Sequence, residues 1–528
     1  MLSLTVDAIR RRETAAIAGG TPAIMLMERA GAALARAVFR LLRARGSRHC
    51  LFVAGRGNNG GDAFVAARLL EAWGVSCGLR LTGDPEALKG AAREAWDLLR
   101  QAEAPAGGLE VCDSPQAWQA RRPLDELPPR PVVVDALLGT GARGAPTGVV
   151  RDAVAWINRA AGSGAAVVAV DLPSGLDADT GVPDAVTVQA DLTVTFDAPK
   201  RGFLNPAAWP ALGRVETVDI GLADLATEPA TPPDTPCDCL TAGELAPRFG
   251  RRPRESHKGD YGHLLVIGGS AGFAGAPALT ALAALRSGAG LVSARIPDVA
   301  SAAIAALAPE AMAHPAPARA GCLDLAGLTG WKTDLAPFDA VVAGPGLGTG
   351  EGPSAIIEHL LAHPPARLLL DADALTIIAR RQPPRRLAST GACILTPHPG
   401  EAARLLGTTV QAVQADRPAA VRRLADATDA VVVLKGCGTL VCAPGGRPAL
   451  NLGGNPGMAS GGSGDVLAGI IGALWGQGLD ALDAARLGVY WHATAGDLAA
   501  WHMGERALLA RDIAAHLGEA GQAIRESA

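Results

Sequence analysis

Asn455-Pro456-Gly457-Met458-Ala459-Ser460-Gly461-Gly462-Ser463-Gly464-Asp465, running into Val466-Leu467-Ala468-Gly469-Ile470-Ile471, is the stretch from which the rest of the chain is read. Glycines packed this densely leave the backbone without Cβ atoms and able to take φ > 0. The apolar residues that follow (Val466, Leu467, Ile470, Ile471, Leu474) recur at helical spacing, so a buried helix starts here. A Gly-rich turn at a helix N-terminus offers unpaired N–H groups and the positive end of the helix dipole to an anion. Asp465 lies at that same end. A carboxylate beside a phosphate site suits a group that takes a proton from a hydroxyl. The plainer alternative is a helix cap.

At 528 residues the chain exceeds a single core and should hold more than one domain. A hydrophobic content of 49% is ample for large cores. A net charge of -4, with Arg runs such as Arg10-Arg11-Arg12 lacking interleaved aromatics, argues against nucleic-acid binding. The nine cysteines have no metal-ligand spacing and read as reduced thiols of a cytoplasmic protein. The N-terminus lacks a signal-peptide core, and no segment has the continuous apolarity of a membrane span. No membrane partner is therefore expected.

Upstream, Ser3–Gly20 and Met25–Arg45 read as helices. Cys50–Ala54, Val132–Val134, Ala166–Val170 and Leu192–Phe196 are short apolar runs, each followed by polar or Gly-rich residues. The pattern predicts an α/β fold with a mostly parallel sheet, in which ligands bind beyond the carboxyl ends of the strands. Three strand-end loops stand out: Gly55–Asp62 (GRGNNGGD), Asp135–Gly144 (DALLGTGARG) and Asp171–Gly181 (DLPSGLDADTG). Their glycines let amides approach a phosphate. The oxygen-bearing side chains of Asn59, Asp135 and Ser174 suit a hard cation, although Asn, Asp and Gly are also ordinary turn residues.

These loops, with Met27–Gly31 (MERAG) and Thr193–Gly202 (TVTFDAPKRG), resemble in content and order the NAD(P)H-hydrate epimerase domain, also called the YjeF N-terminal domain, over residues 1–225. Ala63 departs from the glycine usual there, and a small residue still fits. The resemblance implies a Rossmann-like domain that interconverts the R and S forms of hydrated NADH or NADPH. It implies K+ on Asn59, Asp135 and Ser174. Substrate contacts would come from Asn58, Asn59, Gly60, Gly61, Asp62, Gly139, Thr140, Gly141, Ala142, Arg143, Gly144, Ala145 and Asp171. Asp171 is the candidate acid or base, with a cation ligand or a turn cap as its alternatives. Lysine is scarce, and Lys200, Lys258 and Lys435 fall within motifs, where a compact ammonium suits a phosphate or hydroxyl pocket.

Residues 226–239, rich in Pro, Thr and Asp, read as a linker. Beyond it strands again alternate with loops and helices. His263–Ile267 leads to Gly268-Gly269-Ser270 and Asp339–Ala343 to Gly344–Gly348. Arg367–Leu370 leads to Asp371–Ala374, Cys393–Leu395 to Thr396–Glu401, and Val431–Leu434 to Lys435–Thr439. A second doubly wound α/β domain is predicted. It has no Walker motif. The motifs KGDYGHLLVIGGS, RSGAGLV, GPGLG, DADAL, LTPHPGE, VVLKGCGT and NPGMASGGSGDVLAG resemble the ribokinase-like superfamily and, within it, the ADP-dependent NAD(P)H-hydrate dehydratase domain, taken as residues 240–528.

That resemblance implies Lys435, Gly436, Cys437, Gly438, Thr439 and Gly464 around an adenine nucleotide, with ADP the expected phosphoryl donor and ATP its alternative. Ala276, Gly346, His398 and Asp465 would face the hydrated substrate, with Asp465 as the catalytic base. The alternative for His398 is a loop residue bonded to its own backbone. Asp371 and Asp373 fit Mg2+ or the cap of the following helix, and both readings stay open. The chain is thus expected to be a bifunctional lyase and isomerase of metabolite repair, with further copies of itself as partners. Two competing readings make the C-terminal half a small-metabolite kinase or the N-terminal half a non-catalytic binding module.

Overall fold

The computed structural model describes residues 3–102, 108–112, 114–119, 128–222, 237–330, 335–380, 387 and 392–526. The chain divides into two compact units, and the division falls between residues 235 and 244.

The first unit is built on a seven-stranded sheet of β1 (His49–Ala54), β2 (Ser76–Leu81), β3 (Leu109–Val111), β4 (Val132–Ala136), β5 (Ala166–Val170), β6 (Leu192–Phe196) and β7 (Arg214–Val218). The order is β3-β2-β1-β4-β5-β6-β7, and every pairing is parallel. β4 and β5 are buried along their whole length, as unbroken Val and Ala runs require when helices cover both faces. Strand order reverses between β1 and β4, so the loops after Ala54 and Ala136 flank the crevice where such sheets bind ligands.

The second unit holds a ten-stranded sheet of β8 (Asp238–Cys239), β9 (His263–Ile267), β10 (Leu291–Pro297), β11 (Met312–Ala316), β12 (Ala340–Ala343), β13 (Arg367–Leu370), β14 (Ala392–Leu395), β15 (Val431–Leu434), β16 (Leu440–Cys442) and β17 (Ala449–Leu450). Its order is β11-β10-β9-β12-β13-β14-β15-β16-β17-β8. The strands from β11 to β15 are parallel; β16 and β17 turn back antiparallel. The linker expected over 226–239 lies outside the described residues as far as 236. Its last residues are not linker: Asp238–Cys239 pairs with Ala449–Leu450, so the second unit begins earlier than residue 240.

The helix Ser463–Gly476 is buried from Val466 to Gly476, which marks it as central. Two glycines let it approach its neighbours: a Cβ on Gly469 would lie 2.2 Å from the Thr280 carbonyl oxygen, and one on Gly472 2.6 Å from Val342. Both expected doubly wound units are therefore present. Among the described residues, which include all nine cysteines, no disulfide forms, and no helix is long and apolar enough to cross a membrane.

Candidate active sites

In the first unit the loop after β1 is shaped by close packing. A Cβ on Gly55 would lie 2.1 Å from the Leu137 carbonyl oxygen, one on Gly60 2.1 Å from the Gly55 carbonyl oxygen, and one on Gly61 2.5 Å from Met27. Three of the four glycines expected to cradle a phosphate thus serve contact with protein, and Gly57 alone of them has open space at that position. The helix Asn58–Ala72 starts after Gly57 with no side-chain cap, so its first amides are left for a ligand.

Asp135 and Ser174 are bonded to each other, and Asn59 is tied to the same loop through Leu138. Asp135 is fully buried; its carboxylate accepts from the Ser174 hydroxyl (2.7 Å), the Ser174 amide (2.8 Å) and the Leu137 amide (3.2 Å). Asn59 Nδ2 donates to the Leu138 carbonyl at 3.0 Å, and the Leu138 amide donates to Ser174 Oγ at 3.0 Å. Burial pushes the Asp135 carboxyl up to about 6 against the pull of these hydrogen bonds, and no basic side chain contributes. Thr140–Gly144 border this group and are largely exposed.

Asp171, just past β5, takes a left-handed φ of 64°, unusual for a residue with a Cβ. Its carboxylate meets the Lys200 ammonium at 2.5 Å and accepts from Thr195 Oγ1 and the Phe196 amide, both at 3.2 Å. These bonds tie it across to β6, so it caps no turn of its own. Lys200 is 1% exposed and also donates to the carbonyls of Phe196 (3.1 Å) and Ala198 (3.4 Å), which excludes a surface role.

Asp62 is buried beside this pair. Burial first, then repulsion from Asp171 and Glu13, hold its carboxyl well above the usual range, with Lys200 opposing. Glu13 is raised too, by burial and then by Asp171. Sequence reading missed Glu13, which the helix Val6–Ala18 delivers. It also took Asp62 as a contact residue only. The charge of a buried acid depends on its neighbours in space, which spacing along the chain does not give.

In the second unit, loops after β9, β12, β13, β14 and β15 and the start of Ser463–Gly476 contribute. Lys435 Nζ contacts Asp371 Oδ1 at 2.7 Å, and Asp371 is 1% exposed. Burial disfavours the Lys435 ammonium, but the carboxylates of Asp371, Glu401 and Asp465 outweigh it and raise its pKa. A Cβ on Gly464 would lie 3.2 Å from Lys435 Nζ, so the ammonium stands directly over the helix start. Gly462 is the N-cap, at φ 94° with no side-chain cap bond. Asp465 is therefore not the cap; it lies in the first turn. Burial, then repulsion from Asp371, push its carboxyl up to about 7, with Lys435 opposing and Asp373 adding.

The other expected residues sort as follows. Gly346, at φ 61°, packs on Ala276: a Cβ there would lie 3.1 Å from the Ala276 Cβ and 2.7 Å from the Phe273 carbonyl oxygen. Phe273, missed from the sequence, is 65% exposed at this place. His398 is the N-cap of Pro399–Leu406. Its Nδ1 accepts from the amides of Gly400 (3.0 Å) and Glu401 (3.4 Å), leaving Nε2 3.4 Å from Glu401. Burial lowers its pKa, so the ring is neutral near pH 7.

Neither Asp371 nor Asp373 caps a helix. Asp373 accepts from the Gly348 amide at 2.8 Å and links two strand-end loops. The turn Lys435–Thr439 is held by Arg417, also missed, whose Nη2 donates to the carbonyls of Leu434 (3.2 Å), Lys435 (3.3 Å) and Gly438 (3.1 Å). Thr439 Oγ1 closes the turn onto the Gly436 carbonyl at 2.9 Å, and Cys437 is exposed. Behind the Gly-rich loop, Asp497 accepts from the Gly454 amide (3.0 Å) and Asn455 Nδ2 (2.9 Å), and His492 Nε2 lies 3.4 Å from Ser463 Oγ.

Comparison with known proteins covers both units. The family model of the YjeF-related protein N-terminus matches residues 23–202, and that of NAD(P)H-hydrate dehydratase matches residues 264–518. A bifunctional NAD(P)H-hydrate repair enzyme of Moorella thermoacetica is 39% identical over 497 residues, 93% of this chain and 91% of that protein. One of Coxiella burnetii is 38% identical over 511 residues, 96% of this chain and 97% of that protein. A crystal structure of the ADP/ATP-dependent NAD(P)H-hydrate dehydratase of Bacillus subtilis, co-crystallised with ATP and Mg2+, superposes with a TM-score of 0.48 at 30% identity. It covers 55% of this chain and 99% of that one.

Proposed function

The chain belongs to the family of bifunctional NAD(P)H-hydrate repair enzymes, and on that premise we propose which residues of each unit do the chemistry. The protein repairs hydrated NADH and NADPH: the first unit interconverts the R and S hydrates, and the second dehydrates the S form at the expense of a nucleotide. Relatives aligned over more than nine-tenths of the chain favour this reading over a kinase that stops at a phosphoester.

For epimerisation, the hydroxyl must leave one face of the ring carbon and water must return on the other. Asp62, whose carboxyl burial and then Asp171 and Glu13 push well above the usual range, donates to the departing oxygen. Asp171, oriented by Lys200, Thr195 Oγ1 and the Phe196 amide, accepts a proton from the returning water. Asn58–Asp62 and Gly139–Ala145 line the substrate. K+ fits at Asn59, Asp135 and Ser174: the donors are oxygens, and a fully buried carboxyl without a basic partner lacks a countercharge. Bound there, K+ would supply that charge and fix the loops after β1, β4 and β5.

For dehydration, Asp465 takes the proton of the ring hydroxyl as its oxygen attacks the terminal phosphorus of ADP. The anhydride bond breaks and AMP leaves. The phosphate ester then departs as inorganic phosphate, a proton is lost from the adjacent carbon, and the reduced ring is restored. Lys435 and the Gly464 amide hold charge on the moving phosphoryl group, a kind of stabilisation worth about 3–4 kcal/mol per donor elsewhere. Arg417 keeps Lys435–Thr439 in shape for the nucleotide. Ala276, Gly346, Phe273 and His398 Nε2 face the hydrated ring. Among the described residues no trio of carboxylates here lies close enough to hold Mg2+ by itself, so Mg2+ fits only as part of the nucleotide's complex.

The observation that carries this reading is Asp465, poised near 7 beside Lys435 and the glycine helix start. Purified protein given mixed hydrates and ADP should regain reduced-nicotinamide absorbance with stoichiometric AMP and phosphate. A stable phosphoester with no absorbance regained would refute it.

A further inference from the structure

We propose that His502, His516 and Glu519 form a binding site for a divalent transition metal of the zinc type, separate from the residues of both reactions. His502 is in the last turn of the helix Ala481–Met503; His516 and Glu519 lie one turn apart on the helix Ala510–Glu526. The two helices are fixed against each other by Trp491, whose Nε1 donates to the Leu517 carbonyl at 2.7 Å. One ligand atom from each of the three residues lies within 4.8 Å of the other two, and among the described residues no other trio of His, Cys, Asp or Glu does so.

The spacing that makes an ion pair here also admits a metal. His502 Nε2 lies 3.4 Å from Glu519 Oε2. Two ligands of a tetrahedral ion with bonds near ~2.1 Å stand about 3.4 Å apart. His516 Nδ1 donates to the Asp512 carbonyl at 2.8 Å, which puts the proton on Nδ1 and leaves the Nε2 lone pair for a metal. Such a bond is the usual support for a metal-bound imidazole. The two rings lie nearly parallel, 26° apart with centroids at 5.2 Å. An exposed pair alone would contribute little and would not require an oriented third ligand. Two imidazoles and one carboxylate select zinc, cobalt, nickel or copper over Mg2+ and Ca2+, which want oxygen throughout. Exposure of His502 and Glu519 leaves the fourth position to water.

Metal here would join the two ends of the connector Gly504–Leu509. That connector and the first residue of the next helix pack on the Gly-rich loop: a Cβ on Gly457 would lie 2.5 Å from the Glu505 carbonyl oxygen, and one on Gly462 3.1 Å from Ala510. The ligand would brace the loop from behind without touching substrate.

The test is Co2+ titration of the full-length, chelator-treated protein, read by visible d–d absorption and thermal melting. One equivalent should bind with a four- or five-coordinate spectrum, raise Tm, and be displaced by Zn2+. His516→Ala and the milder Glu519→Gln should weaken binding by at least ~10-fold and abolish the Tm rise, with dehydration by the metal-free protein unchanged. Equal binding by wild type and both variants, no binding at one equivalent, or a thiolate-to-cobalt charge-transfer band placing the metal on Cys437 would overturn the proposal.

Discussion

Asp465→Asn separates a catalytic carboxyl from a structural one, because the two roles predict opposite effects on stability. With its carboxyl pushed up to about 7, Asp465 in the wild-type protein is roughly a tenth ionised at pH 6 and nine-tenths at pH 8. If the base form acts, kcat/KM for dehydration should rise about tenfold over that interval. Asp465→Asn should lower it by ~10²–10⁴ and flatten the profile. The stability sign follows from linkage. A carboxyl raised on folding binds its proton more tightly in the native state, so its contribution is full below the unfolded value of about 4. It is lost as pH climbs through about 7. A shift of three units would be worth about 4 kcal/mol, and partial exposure and solvent screening reduce that to ~1–2 kcal/mol. The variant should therefore melt a few degrees above wild type at pH 8 and gain less at pH 5. Regained reduced-nicotinamide absorbance and melting scans at the two pH values give both readouts. Near-normal turnover, or a variant less stable than wild type at pH 8, would refute the reasoning.

Asp135→Ala should abolish epimerisation and its K+ response, spare dehydration, and cost ~1–3 kcal/mol by leaving the Ser174 and Leu137 donors unpaired; chiral analysis of the hydrates checks it. In the wild-type protein the half-saturating K+ concentration should rise as pH falls through about 6, because protonated Asp135 loses its attraction for a cation. Arg417→Ala frees the Leu434 carbonyl and two carbonyls of the Lys435–Thr439 turn and should raise the nucleotide KM about tenfold with a smaller effect on kcat. Asp62→Asn should depress epimerisation by at least ~10²-fold while leaving binding of a hydrate analogue within a fewfold.

What the sequence made legible was whatever is written in unbroken apolar runs. Ala166–Val170, Leu192–Phe196, His263–Ile267, Arg367–Leu370 and Val431–Leu434 form strands over the expected residues. β2 and β7 were not read, because charged residues interrupt them. Arg80, inside β2, is buried under Trp156, with its guanidinium 4.7 Å from the ring, and pairs with Glu110. In β7, Glu216 bonds to Arg40 at 2.6 Å and to Arg214 at 3.0 Å. Polarity along the chain says nothing of a partner that neutralises it across the fold. The site followed the same rule. Motif residues such as Asp135 with Ser174, or Lys435 with Gly464, could be grouped from loop order. Arg417, Glu13 and Phe273 reach the sites from segments with no motif of their own. The glycines of the β1 loop show the converse: their density suggested a phosphate cradle, and most are required by protein packing.

The two units solve one electrostatic problem twice, and the difference between the solutions matches the chemistry proposed for each. Each pairs a lysine with an aspartate that follows a sheet strand, one partner of each pair almost wholly buried: Lys200 with Asp171 after β5, Lys435 with Asp371 after β13. Each then places a second carboxyl in the field of that pair: Asp62 in one, Asp465 in the other. A buried carboxyl near an ion pair feels the anion and the cation with opposite sign, so its pKa depends on which lies nearer and on how much water remains. In the first unit burial dominates, the pair's own Asp171 and one further acid, Glu13, add repulsion, and the Asp62 carboxyl is pushed well above the usual range, the direction that the proposed donation to a departing hydroxyl requires. In the second, the ammonium faces both the helix start and Asp465, and the carboxyl settles near neutrality, as the proposed proton transfer to it requires. Moving Lys435 away, as in Lys435→Met, should therefore push the rising, acidic limb of the dehydration profile above 7 as well as weaken nucleotide binding. A limb that stayed in place would mean that Asp465 does not sense the pair, and the parallel between the units would fail.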